Sequence, residues 1–263
     1  MTDPAARLLR ATFLHLPGVG PATEAELWRH GVTSWEAFRL AGRLPGISPE
    51  RRRRLERELD AAEQALGEGN PGWFAHRLPT AEHWRLYPDF RRATAFLDIE
   101  TTGLSPYQGI VTVVAVHTAG TTRSFVADDN LEELPAYLQR FGLLVTFNGI
   151  FFDVPFLQHR FPHLIVPPAH IDLRFVLRRL GLSGGLKRIE QQLGLGDRTG
   201  VEGVGGYEAV RLWDEYRRGR PEALDRLIRY NRADTVNLEP LLEFAVRELS
   251  ERMLPAPTPL LAE

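Results

Sequence analysis

Asp98 and Glu100 stand two apart in an apolar, β-like run, Phe96-Leu97-Asp98-Ile99-Glu100-Thr101-Thr102-Gly103-Leu104. Side chains two apart on a strand point to one face. Asp153 closes a second such run, Val145-Thr146-Phe147-Asn148-Gly149-Ile150-Phe151-Phe152-Asp153. Tyr230 and Asp234 are four apart in a helical stretch, Tyr230-Asn231-Arg232-Ala233-Asp234, and so share one helix face. Four carboxylates that converge repel one another unless cations lie among them. That charge pattern suits a pair of divalent ions hydrolysing a phosphodiester. The chain has no cysteine, so a metal must be held by oxygen or histidine, which favours Mg2+ or Mn2+.

The elements that must position these groups can be read from pattern. A strand is expected at about 94–99, a hairpin from the runs 110–118 and 121–126 around Ala119-Gly120, and a strand at 143–147. Helical pattern covers 131–140, 154–160, 172–180, 186–193, 207–218 and 221–249, with a short strand near 169–171 and Asp172 capping the helix after it. Before them, residues 5–66 read as short helices with polar breaks, and Gly67 to Gly72 is a further break. The aromatic stretch 73–93 reads as a packed lead-in to the second domain. The expected architecture is α/β, a mixed five-stranded sheet flanked by helices and preceded by a small all-α domain. The expected boundaries are 1–66, a lead-in at 67–93, a catalytic domain at 94–250 and a tail at 251–263.

Composition is that of an ordinary soluble protein: 263 residues, 43% hydrophobic, 25% charged, net charge −2. No apolar run approaches bilayer-spanning length. Met1-Thr2-Asp3-Pro4 lacks an apolar signal region, so a cytoplasmic location is expected. Residues 1–93 carry 14 arginines against 12 acids, and the rest of the chain is slightly acidic.

In order and type, the three acidic segments resemble those of the DEDD superfamily of 3′–5′ exonucleases, which has a ribonuclease H-like fold. A tyrosine four residues before the last acid marks the DEDDy type; the position where the DEDDh type has histidine is Arg229. The stretch Gly203-Val204-Gly205-Gly206-Tyr207-Glu208-Ala209-Val210-Arg211-Leu212-Trp213, with Tyr230-Asn231 and Asp234-Thr235-Val236-Asn237-Leu238, looks like the YprB-like bacterial branch, related to exonuclease domains of family B polymerases. The resemblance implies a bacterial protein and two bound ions. Asp98 would bridge them, Glu100 and Asp234 would hold the one that activates water, and Asp153 the one at the leaving group. Tyr230 would orient the attacking water; a phenol of ordinary pKa, about 10, is a poor base at neutral pH. Thr101 and Thr102 would meet the 3′ end, Leu104 would wedge against the terminal base, and Asn148 would contact the substrate backbone.

Other signals are weaker. Lys187, the only lysine, opens a helix and suits either a surface position or a phosphate contact. His159, His163 and His170 lack metal-binding spacing and read as structural. The glycines at 200–206 suit a flexible connection or a lid. Leu16-Pro17-Gly18-Val19-Gly20 resembles a helix–hairpin–helix turn, in which backbone N–H groups at Gly18, Val19 and Gly20 approach a DNA phosphate. Leu44-Pro45-Gly46-Ile47-Ser48 is a second copy with serine for the second glycine, followed by Arg51 to Arg54. Consecutive arginines spread around a helix, so not all four can face one duplex. The functional expectation is a Mg2+- or Mn2+-dependent exonuclease, acting on DNA rather than RNA, monomeric by default. An RNA 3′-end trimmer, a structure-specific endonuclease and an inactive DNA-binding adaptor stay open.

Overall fold

The computed structural model describes residues 8–200 and 205–254. They divide into two compact units: one of the described residues up to Arg91 with those from Val246 on, the other of Arg92–Ala245.

The first unit is helical, with α1 (Pro21–Arg29), α2 (Trp35–Leu40), α3 (Pro49–Gly67), α4 (Pro71–Ala75) and α5 (Tyr87–Phe90). Ser34, Ser48 and Asn70 cap α2, α3 and α4 through their side chains. The two glycine turns share a backbone pattern. Gly18 and Gly46 both have positive φ, at 72° and 63°. Val19 N–H donates to the Leu16 carbonyl at 3.1 Å, and Ile47 N–H to that of Leu44 at 3.3 Å. Each turn leads into a helix that begins with proline.

Of the four arginines, two are engaged. Arg51 donates to the carbonyls of both turns, Gly18 at 2.7 Å and Gly46 at 3.4 Å. Arg52 donates to carbonyls at the end of α2, including Arg39 at 2.7 Å. Arg53 and Arg54 are exposed.

Residues 73–91 do not behave as a lead-in to the second unit. Trp73 and Phe74 pack edge-on against His15, and Phe74 stacks on Trp35 with ring centroids 6.2 Å apart. Aromatic side chains without helical or strand period go where large apolar area is buried. Here that is the core of the first unit, so a boundary at Gly67 would divide it.

The second unit contains β1 (Thr94–Thr101), β2 (Val111–Thr118), β3 (Thr121–Val126), α6 (Leu134–Leu138), β4 (Leu143–Thr146), α7 (Asp153–Arg160), β5 (Ala169–Asp172), α8 (Leu173–Arg178), α9 (Leu186–Leu193), α10 (Gly206–Arg217) and α11 (Pro221–Val236). The last helix, α12 (Leu238–Met253), is shared between the units. The sheet order is β3-β2-β1-β4-β5, antiparallel on the β2–β3 side and parallel from β1 to β5. The β2–β3 turn places Ala119 and Gly120 at φ 44° and 79°, a left-handed pair that suits a two-residue hairpin. Ala95, Leu97 and Ile99 are buried in the hydrophobic cluster. Alternation then sends Asp98 and Glu100 to the opposite face.

The helical pattern over 221–249 is two helices, not one. Pro240 has no N–H to donate to Val236, and its ring would crowd that carbonyl. It fits the first turn of a new helix, so the chain breaks at Asn237.

Candidate active site

β1, α11 and the start of α7 bring the acids together. Carboxylate oxygens of Asp98, Glu100 and Asp234 lie within 4.8 Å of one another. The strand ladder slips between Glu100 and Thr101, a β-bulge just past the second acid, which ends regular pairing there. Asp153 opens α7, buried, and its carboxylate accepts the backbone N–H of Ile99, between the two acids of β1. Asn231, next to Tyr230 on α11, donates from Nδ2 to Oδ2 of Asp98 at 2.8 Å and so fixes that carboxylate.

The electrostatics are those of an acidic cluster. Burial, then the charges of Asp234, Asp153 and Glu100, push the Asp98 carboxyl well up from its ordinary value. Glu100 is pushed up the same way, against a downward pull from Lys187. Burial raises Asp153 to about 7. Burial, followed by the fields of Asp234 and Glu100, drives the Tyr230 phenol upward, and its hydroxyl hydrogen-bonds Asp234. The phenol is therefore a donor here, not a base. Hard oxygen ligands in a buried, mutually repelling set fit divalent cations of the Mg2+ or Mn2+ kind.

A family model described as the RNase H superfamily matches residues 95–246. The chain belongs to the RNase H superfamily. Among solved structures, it is similar to a family B DNA polymerase of Pyrobaculum calidifontis, with 20% identity and a TM-score of 0.50 over 61% of this chain and 25% of that one. The match therefore spans about a quarter of the polymerase and concerns the fold. It is also similar to the Nibbler EXO domain of Aedes aegypti (15% identity, TM-score 0.43, 62% of this chain and 82% of that one). A third likeness is to Brucella melitensis NrnC with bound Mg2+ (20%, 0.33, 71% and 95%). No curated protein matches. The RNase H-like unit thus has a nuclease-type fold, and the pattern of acids fits the DEDD superfamily.

Around the acids of this RNase H-like unit lie residues that sequence left open or missed. Lys187, at the start of α9, holds its Nζ 4.5 Å from the Tyr230 ring centroid, within the fields of Asp234 and Glu100. Arg198, in the segment after α9, donates to Oδ1 of Asp234 at 2.5 Å and to both oxygens of buried Glu190. Asn237, at the helix break, donates to Glu190 at 3.1 Å and accepts the Asp197 N–H at 3.0 Å. Asn231, Glu190, Arg198 and Asn237 carry no spacing signal, since their partners lie far off in sequence. Only the buried position of Glu190 on α9, a helix whose other face is polar, hints at a partnered acid.

The remaining expected residues divide. Leu104 is 91% exposed on the loop after β1. Thr101 and Thr102 spend their hydroxyls on the turn: Thr101 Oγ1 donates to the Gly103 carbonyl, and Thr102 Oγ1 accepts the Ile110 N–H. Asn148 has φ 67°; its N–H donates to Asp172 and its Oδ1 accepts from Arg174 at 2.5 Å. A side chain on Gly149 would collide with Thr146 Oγ1 at 2.3 Å, so the chain can turn here only with glycine. Gly203 and Val204 lie outside the described residues. Among the described residues, no helix is long and apolar enough to cross a membrane.

Proposed function

We propose that the chain is a metal-dependent 3′–5′ exonuclease that removes nucleotides from single-stranded 3′ ends of DNA. The observation that carries this reading is the convergence of Asp98, Glu100 and Asp234 within 4.8 Å of one another, with the Tyr230 hydroxyl on Asp234. Asp98, Glu100, Asp153 and Asp234 would hold two divalent cations. When bound, these supply an activated water and stabilisation of the leaving oxygen. Asn231 keeps Asp98 in one orientation. Tyr230, held protonated, donates a hydrogen bond and orients the water without removing its proton. Lys187 brings a positive charge to the edge of the site, where a phosphate oxygen of the strand would lie. Leu104, exposed on the neighbouring loop, is the group to wedge against the terminal base.

The first unit would bind DNA through its two glycine turns. Gly20 has open space around its α-carbon, which leaves room for a phosphate beside the N-terminus of α1. Such binding is blind to base sequence. A bacterial source, implied by the YprB-like resemblance, a cytoplasmic location and a monomer complete the reading.

The test is digestion of end-labelled single-stranded DNA, duplex DNA and RNA with Mg2+, Mn2+ or EDTA. A metal-dependent ladder shortening 5′-labelled single-stranded DNA one nucleotide at a time supports the reading. Internal cuts, or preference for RNA, would replace it with one of the alternatives.

A further inference from the structure

The loop after β4 and the helix after β5 build a feature that the carboxylate site does not use. Phe151 is 69% exposed and Phe175 40%, yet their rings meet edge-on with centroids 6.0 Å apart. Exposed aromatic rings in mutual contact, rimmed by polar residues, form a contiguous apolar patch of the kind used in binding. The pair is held in place. Asp172 accepts the N–H groups of Asn148 at 2.8 Å, Ile150 at 3.1 Å and Arg174 at 3.1 Å, tying the loop that carries Phe151 to the first turn of α8. Arg174 and Arg178 are exposed and four apart on α8, so they share a face, and Arg178 neighbours Phe175 across one turn.

The position relative to the acids follows from topology. β1, β4 and β5 are adjacent and parallel, with Phe96 level with Val145 and Val145 with Ile171. Glu100 is therefore level with the loop after β4, and the aromatic pair emerges at the C-terminal end of the parallel strands, where β1 delivers its acids. Two strand spacings, about 10 Å, separate β1 from β5. Phe151 stands two residues before Asp153 and Phe175 follows the strand two places from β1, so the pair leads away from the acids and suits the nucleotides behind the one being cut.

We propose that Phe151 and Phe175 form a stacking platform for bases of a single strand upstream of the 3′-terminal nucleotide, with Arg174 and Arg178 facing its phosphates. This rests on the exonuclease reading and gives its substrate a path. Every base has a π-face, so aromatic stacking tolerates any sequence, while interleaved arginines match the phosphate backbone. An apolar protein partner would not call for cations among the rings. A duplex, with its bases already stacked, cannot use the platform.

The test uses the full chain in EDTA, which stops hydrolysis, and 5′-fluorescein-labelled dT12, U12 and an abasic strand of equal length. Phe151→Ala/Phe175→Ala should bind dT12 and U12 at least about fivefold more weakly, the lower end for stacking of one base. It should bind the abasic strand as wild type does. If the alanine variant fails to fold by circular dichroism, Phe151→Leu/Phe175→Leu keeps the apolar cover and loses the π-face, with the same expectation. Hydrolysis of thymidine 5′-monophosphate p-nitrophenyl ester with Mn2+ is measured alongside. The ester has no upstream base, so wild type and variant should cleave it alike. An ester that wild type leaves intact overturns the exonuclease reading. An ester that is cleaved, with unchanged dT12 affinity or an equal loss on the abasic strand, overturns the platform alone. Arms with dT12 and U12 show which sugar the strand carries.

Discussion

Nη1 of Arg198 lies 2.5 Å from Oδ1 of Asp234, so the acid of the third motif is already paired with a cation. The same guanidinium is gripped by Glu190, which is buried with its side chain only 3% exposed. Removing the arginine leaves that glutamate uncompensated. Arg198→Ala should therefore destabilise the metal-free protein by about 3 kcal/mol, the low end for breaking a buried pair. A further Glu190→Gln substitution should recover part of this. Because the guanidinium also competes for Asp234, calorimetry on Arg198→Gln should show Mn2+ bound more tightly, by roughly tenfold, about 1.4 kcal/mol. Weaker binding would mean that the arginine orients Asp234 instead of competing for it.

Metal binding should be visible in stability and should depend on pH. Asp98, Glu100 and Asp153 have folded pKa values above their unfolded ones. A raised carboxyl contributes stability that is fully present below its unfolded pKa, about 4, and lost as pH rises through the folded value, about 7 for Asp153. The metal-free protein thus weakens from pH 4 towards 7, while bound cations relieve the repulsion. The rise in Tm with Mn2+ should be larger at pH 8 than at pH 5.5, and Glu100→Gln should shrink it. An equal shift at both values would count against a carboxylate cluster as the binding site.

The first unit carries an acid sensitivity of opposite sign. His15 is buried among Trp35, Trp73 and Phe74, and among the described residues neither ring nitrogen has a hydrogen-bond partner. Burial, helped by Arg77, lowers its pKa to about 3. A lowered histidine contributes stability that is present above its unfolded pKa, about 6.5, and lost as pH falls towards the folded value. The loss approaches roughly 1.4 kcal/mol per pH unit. Asp89, raised by burial to about 6, works the other way, and does so with or without His15. Comparing His15→Phe with the parent isolates the histidine. The variant should lose less stability between pH 6.5 and 4, and parallel denaturation curves would show that His15 is already compensated.

Much of this was legible in sequence, and the rest has identifiable causes. Alternation in Phe96 to Glu100 gave the strand and the shared face of its acids. Ala119-Gly120 gave the hairpin, and the four-residue spacing of Tyr230 and Asp234 their common helix face. All are local relations. The break at Asn237 was hidden because Pro240 lies in the first turn of the following helix, where the apolar period continues through it. Trp73 and Phe74 have no period, and nothing local says that their partners are His15 and Trp35. Arg198 meets Asp234 across 36 positions and Asn231 meets Asp98 across 133, distances at which no spacing rule operates.

The glycine turns allow a substitution that spares the fold. Gly18 has φ 72°, so any side chain there is strained, whereas Gly20 has φ −102° and nothing within 4 Å of an added β-carbon. Gly20→Val should fold normally and still degrade short single strands. Its affinity for long DNA should fall, and the slope of log affinity against log salt should flatten as phosphate contacts are lost. Unchanged affinity and slope would leave the turns as structural elements.

The most direct measurement is the rate at which Asp98→Asn shortens a 5′-labelled single strand in Mn2+, compared with wild type and with Tyr230→Phe. Asp98 has a carboxylate oxygen within 4.8 Å of those of Glu100 and Asp234 and is oriented by Asn231. Its loss should abolish nearly all hydrolysis. Tyr230→Phe, which removes only an orienting hydroxyl, should cost roughly 10²-fold. Wild-type rates from Asp98→Asn would contradict the assignment of this carboxylate cluster as the catalytic site.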